Sequence, residues 1–182
     1  MNVQRFIDNI IEQIKEAQLK LGFEREMIRL YFPVDSLCGL LELKYRDGKE
    51  VLAELKREHG FEDTVLGTIQ FSLCRDPNRI EVCVSPDGAA YVQEEIPDPP
   101  FLSNIIRMFQ ENHNLTIEQI QSCFEQFNKH YVCEKMEPGN DFDYVLYFPE
   151  HNPDPWYYCV KIEMGHTIYH RFTSEDFFSL TY

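Results

Sequence analysis

Cys159, Lys161, Glu163, His166 and His170 are the residues of this 182-residue chain whose types and spacing come nearest to chemistry. If Met164-Gly165 makes a tight hairpin turn, Glu163 falls opposite His166, Lys161 opposite Ile168 and Cys159 opposite His170. Side chains alternate along a strand, so all of them would then leave one face of the sheet. A thiol across from an imidazole can act as nucleophile and base, the core of a small hydrolase. Two imidazoles with a thiolate and a carboxylate can instead bind zinc, as in a metal-dependent enzyme. The competing reading is structural. There the same residues form the solvated face of an edge hairpin, Glu163 and His166 make an ordinary cross-strand pair, and Trp156, Tyr158, Val160 and Ile162 turn to the core. A slip of one residue in the pairing dissolves the whole set.

Other constellations are thinner. Cys123, His130 and Cys133 gather near a helix-to-strand junction, but they lack a fourth ligand and Cys123 is spaced like a core residue. Cys74 and Cys83 flank a hairpin turn. Glu94-Glu95 with Asp98, Asp141 with Asp143, and Glu175-Asp176 are carboxylate pairs of the kind an acidic chain offers by chance, and they read as surface or capping residues. The loop His151-Asn152-Pro153-Asp154-Pro155-Trp156 sets the only Trp among polar and rigid residues. Because Trp is enriched where proteins meet, His151, Asp154 and Trp156 are the candidate partner-binding residues, the alternative being that Trp156 simply starts a core strand. Glycine-rich phosphate loops, H-E-x-x-H and G-x-S-x-G are all missing from the sequence. No cofactor and no metal is expected.

The elements that must position these residues follow from periodicity. Val3, Ile7, Ile10, Ile14, Ala17 and Leu21 recur in steps of four and three, which predicts an amphipathic helix closed by Gly22. A short strand is expected over 26–32, then a brief helix through Leu37–Leu43 capped by Asp35 or Ser36. Asp47 and Glu50 form a capping box for a helix over 48–58. Alternation at Val65–Leu73 and Ile80–Val84, a turn at Ser85-Pro86-Asp87-Gly88 and a third strand at Ala89–Glu94 predict an antiparallel meander with one wet face.

After the break Ile96-Pro97-Asp98-Pro99-Pro100 come two helices. One is marked by Leu102, Ile105, Ile106 and Phe109; the other is capped by Thr116 and Gln119, with Ile117, Ile120, Phe124 and Phe127 on one face. Strands near 131–137, 142–148, 156–164 and 166–172 make a second meander, and Thr173 with Asp176 caps a final helical turn. The fold expected is α+β, with two antiparallel meanders that can share one sheet, separated and flanked by amphipathic helices. Residues 1–182 are read as one domain, with a weak boundary near 96–100.

Composition bounds the partners. With 14 Phe and 10 Tyr the chain can bury a substantial core without disulfides or metal. Its formal charge is −14, from 31 acidic and 17 basic side chains. The densest basic run, Lys44, Arg46, Lys49, Lys56 and Arg57, is broken by Asp47, Glu50, Glu54 and Glu58. Neither nucleic acid nor an anionic membrane surface is therefore an expected partner. A basic or apolar protein is. No stretch is apolar enough to span a bilayer, the N-terminus reads as a charged amphipathic helix rather than a signal peptide, and six scattered cysteines read as reduced thiols, so a cytosolic protein is expected.

The run Ile28-Arg29-Leu30-Tyr31-Phe32-Pro33 with Asp35-Ser36-Leu37, together with the later aromatic meander, resembles an uncharacterised domain family of gut Firmicutes over nearly the whole chain. That resemblance implies no activity and no site residues. Two functions stay open: a non-catalytic interaction module in the manner of an acidic immunity protein or chaperone, and a small hydrolase or metal-dependent enzyme on the Cys159 face.

Overall fold

Asn2 opens the first helix by accepting the Arg5 N–H on its side chain, and Gly22, with φ of 85°, closes it by donating to the Gln18 carbonyl. Between these caps α1 (Val3–Leu21) buries Ile7, Ile10 and Ile14 of the expected stripe together with Phe6, whereas Val3 and Ala17 are half-buried and Leu21 is 86% exposed. A computed structural model describes residues 1–45 and 47–180; Arg46 of the basic run lies outside the described residues. The fold is α+β, with seven α-helices and two antiparallel sheets among the described residues. The chain divides inside the proline-rich segment into two compact units, Met1–Pro97 and Asp98–Tyr182, each with its own sheet.

In the first unit β1 (Ile28–Pro33), α2 (Val34–Leu41), α3 (Gly48–Arg57), β2 (Gln70–Leu73), β3 (Arg79–Val84) and α4 (Pro86–Glu95) follow α1. Helix α3 starts as its capping residue dictates, the Asp47 side chain accepting the Lys49 and Glu50 N–H groups. Helix α2 begins instead directly after Pro33, without a side-chain cap from Asp35 or Ser36. The strand order is β1-β3-β2, all antiparallel. Phe32, Ile80, Val82 and Phe71 face the helices, and Phe6 lies at the centre of an aromatic cluster with Phe32, Phe61 and Phe71 at ring separations of 5.5 to 6.1 Å.

Two further expectations fail in this unit. Ala89–Glu94 is helix, not strand. Ser85 caps it by accepting the Gly88 N–H at 3.1 Å, and Pro86 occupies its first turn, so a turn signal also serves as a helix start. The helix is then held by α1, whose buried Lys15 and Gln18 donate to the Val92 and Ala89 carbonyls. A side chain could not stand at Gly88, because a Cβ there would lie 2.4 Å from the Leu66 carbonyl oxygen. The second failure is the long strand from Val65. A turn at Thr64–Gly67, with Gly67 at φ of 76°, buries Leu66 and exposes Val65, and pairing begins only at Gln70. The third strand is instead β1, and because it pairs with β3 rather than with its chain neighbour β2, the first sheet is not the expected meander.

The second unit holds α5 (Pro100–Glu111), α6 (Ile117–Phe127), β4 (Val132–Lys135), β5 (Tyr144–Tyr147), β6 (Tyr157–Glu163), β7 (His166–Phe172) and α7 (Ser174–Leu180). Thr116 and Gln119 form the expected capping box of α6. The strands pair in chain order as a meander. It is a sheet separate from that of the first unit. Phe101 of α5 and Phe124 of α6 pack on Phe148 and Tyr158 with ring centroids 4.8 to 5.6 Å apart, which covers one face of the sheet. Phe177 of α7 stacks on Tyr157 at 4.7 Å and covers part of the other.

Candidate functional site

The β6–β7 hairpin has the register that a tight Met164-Gly165 turn requires: Glu163 pairs with His166, Lys161 with Ile168 and Cys159 with His170. Both turn residues have positive φ, 51° at Met164 and 78° at Gly165. The five candidates therefore share a sheet face, but their environments divide. Cys159 is only 1% exposed, in a cluster with Val145, Tyr157 and Phe177. Burial pushes its thiol up to about 12, so it stays protonated at neutral pH. His166, Glu163 and His170 are exposed, and the His170 ring packs edge-on against Phe142 at 5.5 Å. Lys161 pairs with Asp143 at 3.6 Å. The cause of the division is α7. Phe177 seals the root of this face, whereas among the described residues nothing comparable covers the end near the turn.

That outer end is the conspicuous surface of the hairpin. Met164 is 92% exposed and Ile168 52%, with Ile162 partly exposed on the opposite face of the same hairpin. Ile162 does not reach the core as expected, although Trp156, Tyr158 and Val160 do. Asp143 braces the projection from β5's side. Its carboxylate accepts the Ile162 N–H at 2.7 Å, and its own N–H donates to the Val160 carbonyl at 2.8 Å. Asp143 thus has a definite structural role as a strut.

At the other end of β6 lies a buried polar cluster that sequence reasoning found only in part. The Asp154 carboxylate accepts the Trp156 N–H at 2.9 Å and the Tyr158 hydroxyl at 3.1 Å. It is ion-paired with the Arg171 guanidinium at 3.7 Å, both side chains being almost wholly buried. Arg171 in turn lies 4.4 Å above the Trp156 ring and 5.6 Å from that of Tyr158. Burial drives the Tyr158 hydroxyl well above its ordinary range; Arg171 opposes that shift and Asp154 adds to it. Of the three loop candidates, Asp154 and Trp156 are buried within this cluster and only His151 is exposed. Arg171 was the missing partner. Its signal is the register itself, since the turn that pairs Glu163 with His166 also pairs Tyr158 with Arg171.

The remaining candidates separate. Cys123 is buried on α6 and accepts a hydrogen bond from the Asn104 side chain at 3.3 Å. No group of three or more His, Cys, Asp or Glu side chains is placed to hold a metal ion among the described residues. All six cysteines are free, and Gln70 rather than Cys74 lies opposite Cys83. Glu94 and Glu95 end helix α4, while Asp176 takes part in the expected cap with Thr173 at 3.1 Å. Among the described residues no helix is long and apolar enough to cross a membrane.

A family model described as a domain of unknown function from E. rectale (DUF3877) matches residues 3–181. This is the kind of family that the Ile28–Leu37 run and the aromatic meander resemble. No curated protein and no solved structure matches the chain.

Proposed function

The chain belongs to that family, whose description assigns no activity, and from its geometry we propose that it is a non-catalytic protein-interaction module of the cytosol, with the outer end of the β6–β7 hairpin as its contact surface. The observation that carries this is Met164. An almost fully exposed methionine occupies a left-handed position that Asn, Asp or Gly would fill at lower cost. Solvation and backbone conformation both argue against Met there, and residues kept against local preference concentrate at functional surfaces. The tip thus presents an apolar contact of the adaptable kind that methionine provides, and Ile168, further along β7 beyond the Glu163–His166 pair, adds exposed apolar surface.

The partner is a protein with an apolar pocket bordered by basic side chains, as an immunity- or chaperone-like cover would require. The formal charge of −14 favours that border. Free thiols throughout suit a reducing compartment. The hydrolytic alternative draws less support, because burial keeps the Cys159 thiol protonated and the imidazoles stand in solvent.

Met164→Asn separates function from stability. It is expected to raise the urea midpoint slightly, by up to about 1 kcal/mol of stability, because Asn suits the left-handed turn position. The same variant should lose the protein that copurifies with the wild-type chain from its native host. A destabilised Met164→Asn, or one that retains the copurifying protein undiminished, overturns the assignment of the tip.

A further inference from the structure

Hydrogen-bond parity in the three-stranded sheet shows which way each strand directs its backbone. Val34 N–H donates to the Asn78 carbonyl in line with the β1–β3 register, so Ile28, Leu30 and Phe32 turn their N–H and C=O groups toward β3. Cys74 N–H donates to the Arg79 carbonyl in line with the β2–β3 register, so Arg79, Glu81 and Cys83 serve β2 and the alternate residues of β3 serve β1. The two parities agree. It follows that Arg29 and Tyr31 direct both backbone groups away from the sheet, and among the described residues nothing bonds to them. The opposite edge differs. There the outward N–H of Ile69, just before β2, is taken by the Phe61 carbonyl.

The β1 edge is poorly defended. Natural edges carry lysines, bulges or inward charges that discourage pairing. Here Pro33 guards only the last position, and the charge of Arg29 is matched by Glu81 at 2.9 Å. Met27 is 46% exposed and Tyr31 53%, while Ile28 and Leu30 on the helix-facing side are only partly buried.

We propose that this edge pairs with the same edge of a second copy of the chain, antiparallel and centred on Leu30, joining two three-stranded sheets into one. The register is chosen by chemistry. Centring on Leu30 sets Arg29 opposite the second copy's Tyr31, each outward N–H meeting an outward carbonyl and each guanidinium facing a phenol ring. Centring on Arg29 opposes two guanidinium groups, and centring on Tyr31 sets Arg29 opposite Pro33, which has no N–H to give. On the other face the same register places Leu30 against Leu30 and Ile28 against Phe32. Glu81 prepares the outer pair by accepting from both Arg29 and Tyr31, the latter at 3.2 Å. Contact limited to one strand is small, so the dimer forms weakly, with a dissociation constant on the order of 100 μM.

Sedimentation of the full chain over a rising concentration series tests this. The expected result is a mass that climbs toward twice the monomer, with Tyr31→Pro holding it at the monomer value. That substitution removes an N–H which bonds nothing in the sheet, and the preceding residue is already extended, as proline requires. A second variant decides the matter if Tyr31→Pro unfolds. Leu30→Cys places two thiols at a directly opposed, non-hydrogen-bonded pair, within disulfide reach, and mild oxidation should give a covalent dimer that Tyr31→Cys does not give. A chain that stays monomeric throughout, a dimer that survives a folded Tyr31→Pro, or Leu30→Cys that fails to cross-link overturns the proposal.

Discussion

In the three-stranded sheet the outward side chains of Arg29, Tyr31, Ser72 and Glu81 bond to one another in contact with water. In the four-stranded sheet the corresponding face at Cys159 lies under Phe177, and the opposite face lies under Phe101 and Phe124. Both sheets are antiparallel and both are written in alternating residues. One has a wet face, whereas the other is buried on both sides at its centre and opens to solvent toward the turn. The difference teaches that alternation defines two faces without saying what covers either. A short helix at the end of the chain converts a candidate site into core at one end of a hairpin and leaves the other end free.

The contrast is sharpest at the buried ion pair, which has no counterpart among the described residues of the three-stranded sheet. Arg171→Ala leaves the Asp154 carboxylate buried without its cation, and a loss of about 3–5 kcal/mol in denaturant-induced unfolding is expected. A loss below about 1 kcal/mol would mean that water reaches Asp154 and that this end of the sheet is not sealed. Removing the cover is next. Phe177→Ala should cost about 3 kcal/mol and make Cys159 react with an aromatic disulfide reagent at a rate the wild-type thiol never approaches. Unchanged reactivity would show that something other than α7 protects the thiol.

The wet face predicts the smallest effect, one of pH. The Ser72 hydroxyl and then the Arg29 guanidinium hold the Glu81 carboxyl below its usual range. A carboxyl depressed in the folded chain contributes stability above its unfolded value near ~4.3, and that contribution is lost as pH falls through the folded value. Glu81→Gln should therefore lose less stability than wild type between pH ~6 and pH ~3, read from urea midpoints. A steeper acid loss in the variant would contradict the network.

Much of the second unit was legible because its signals are local. The Thr116–Gln119 box, the strand positions and the Glu163–His166 register depend on residues within a few positions of one another, and each is found as expected. The first unit misled where a local signal has two solutions. Ser85-Pro86-Asp87-Gly88 suits a turn between strands as well as a helix N-terminus, and only the contact of Ala89 and Val92 with Gln18 and Lys15 of α1 selects helix. Gly67 reversed the burial of Val65 and Leu66 in a way no alternation shows.

By itself the sequence determined the acidic charge, the stripe of α1, most helix caps and the pairing of β6 with β7, since composition, period and turn chemistry are properties of neighbouring residues. Tertiary structure alone decided that Cys159 is core, that Met164 and Ile168 are surface, that Asp154 meets Arg171, and that β1 completes the first sheet with its outer edge open. Those outcomes depend on which distant segment arrives to cover a face or an edge. Phe177 comes 18 positions after Cys159, and β1 reaches β3 across an intervening α2, α3 and β2. Long-range burial of that kind is set by the sum of all contacts, which no local pattern encodes.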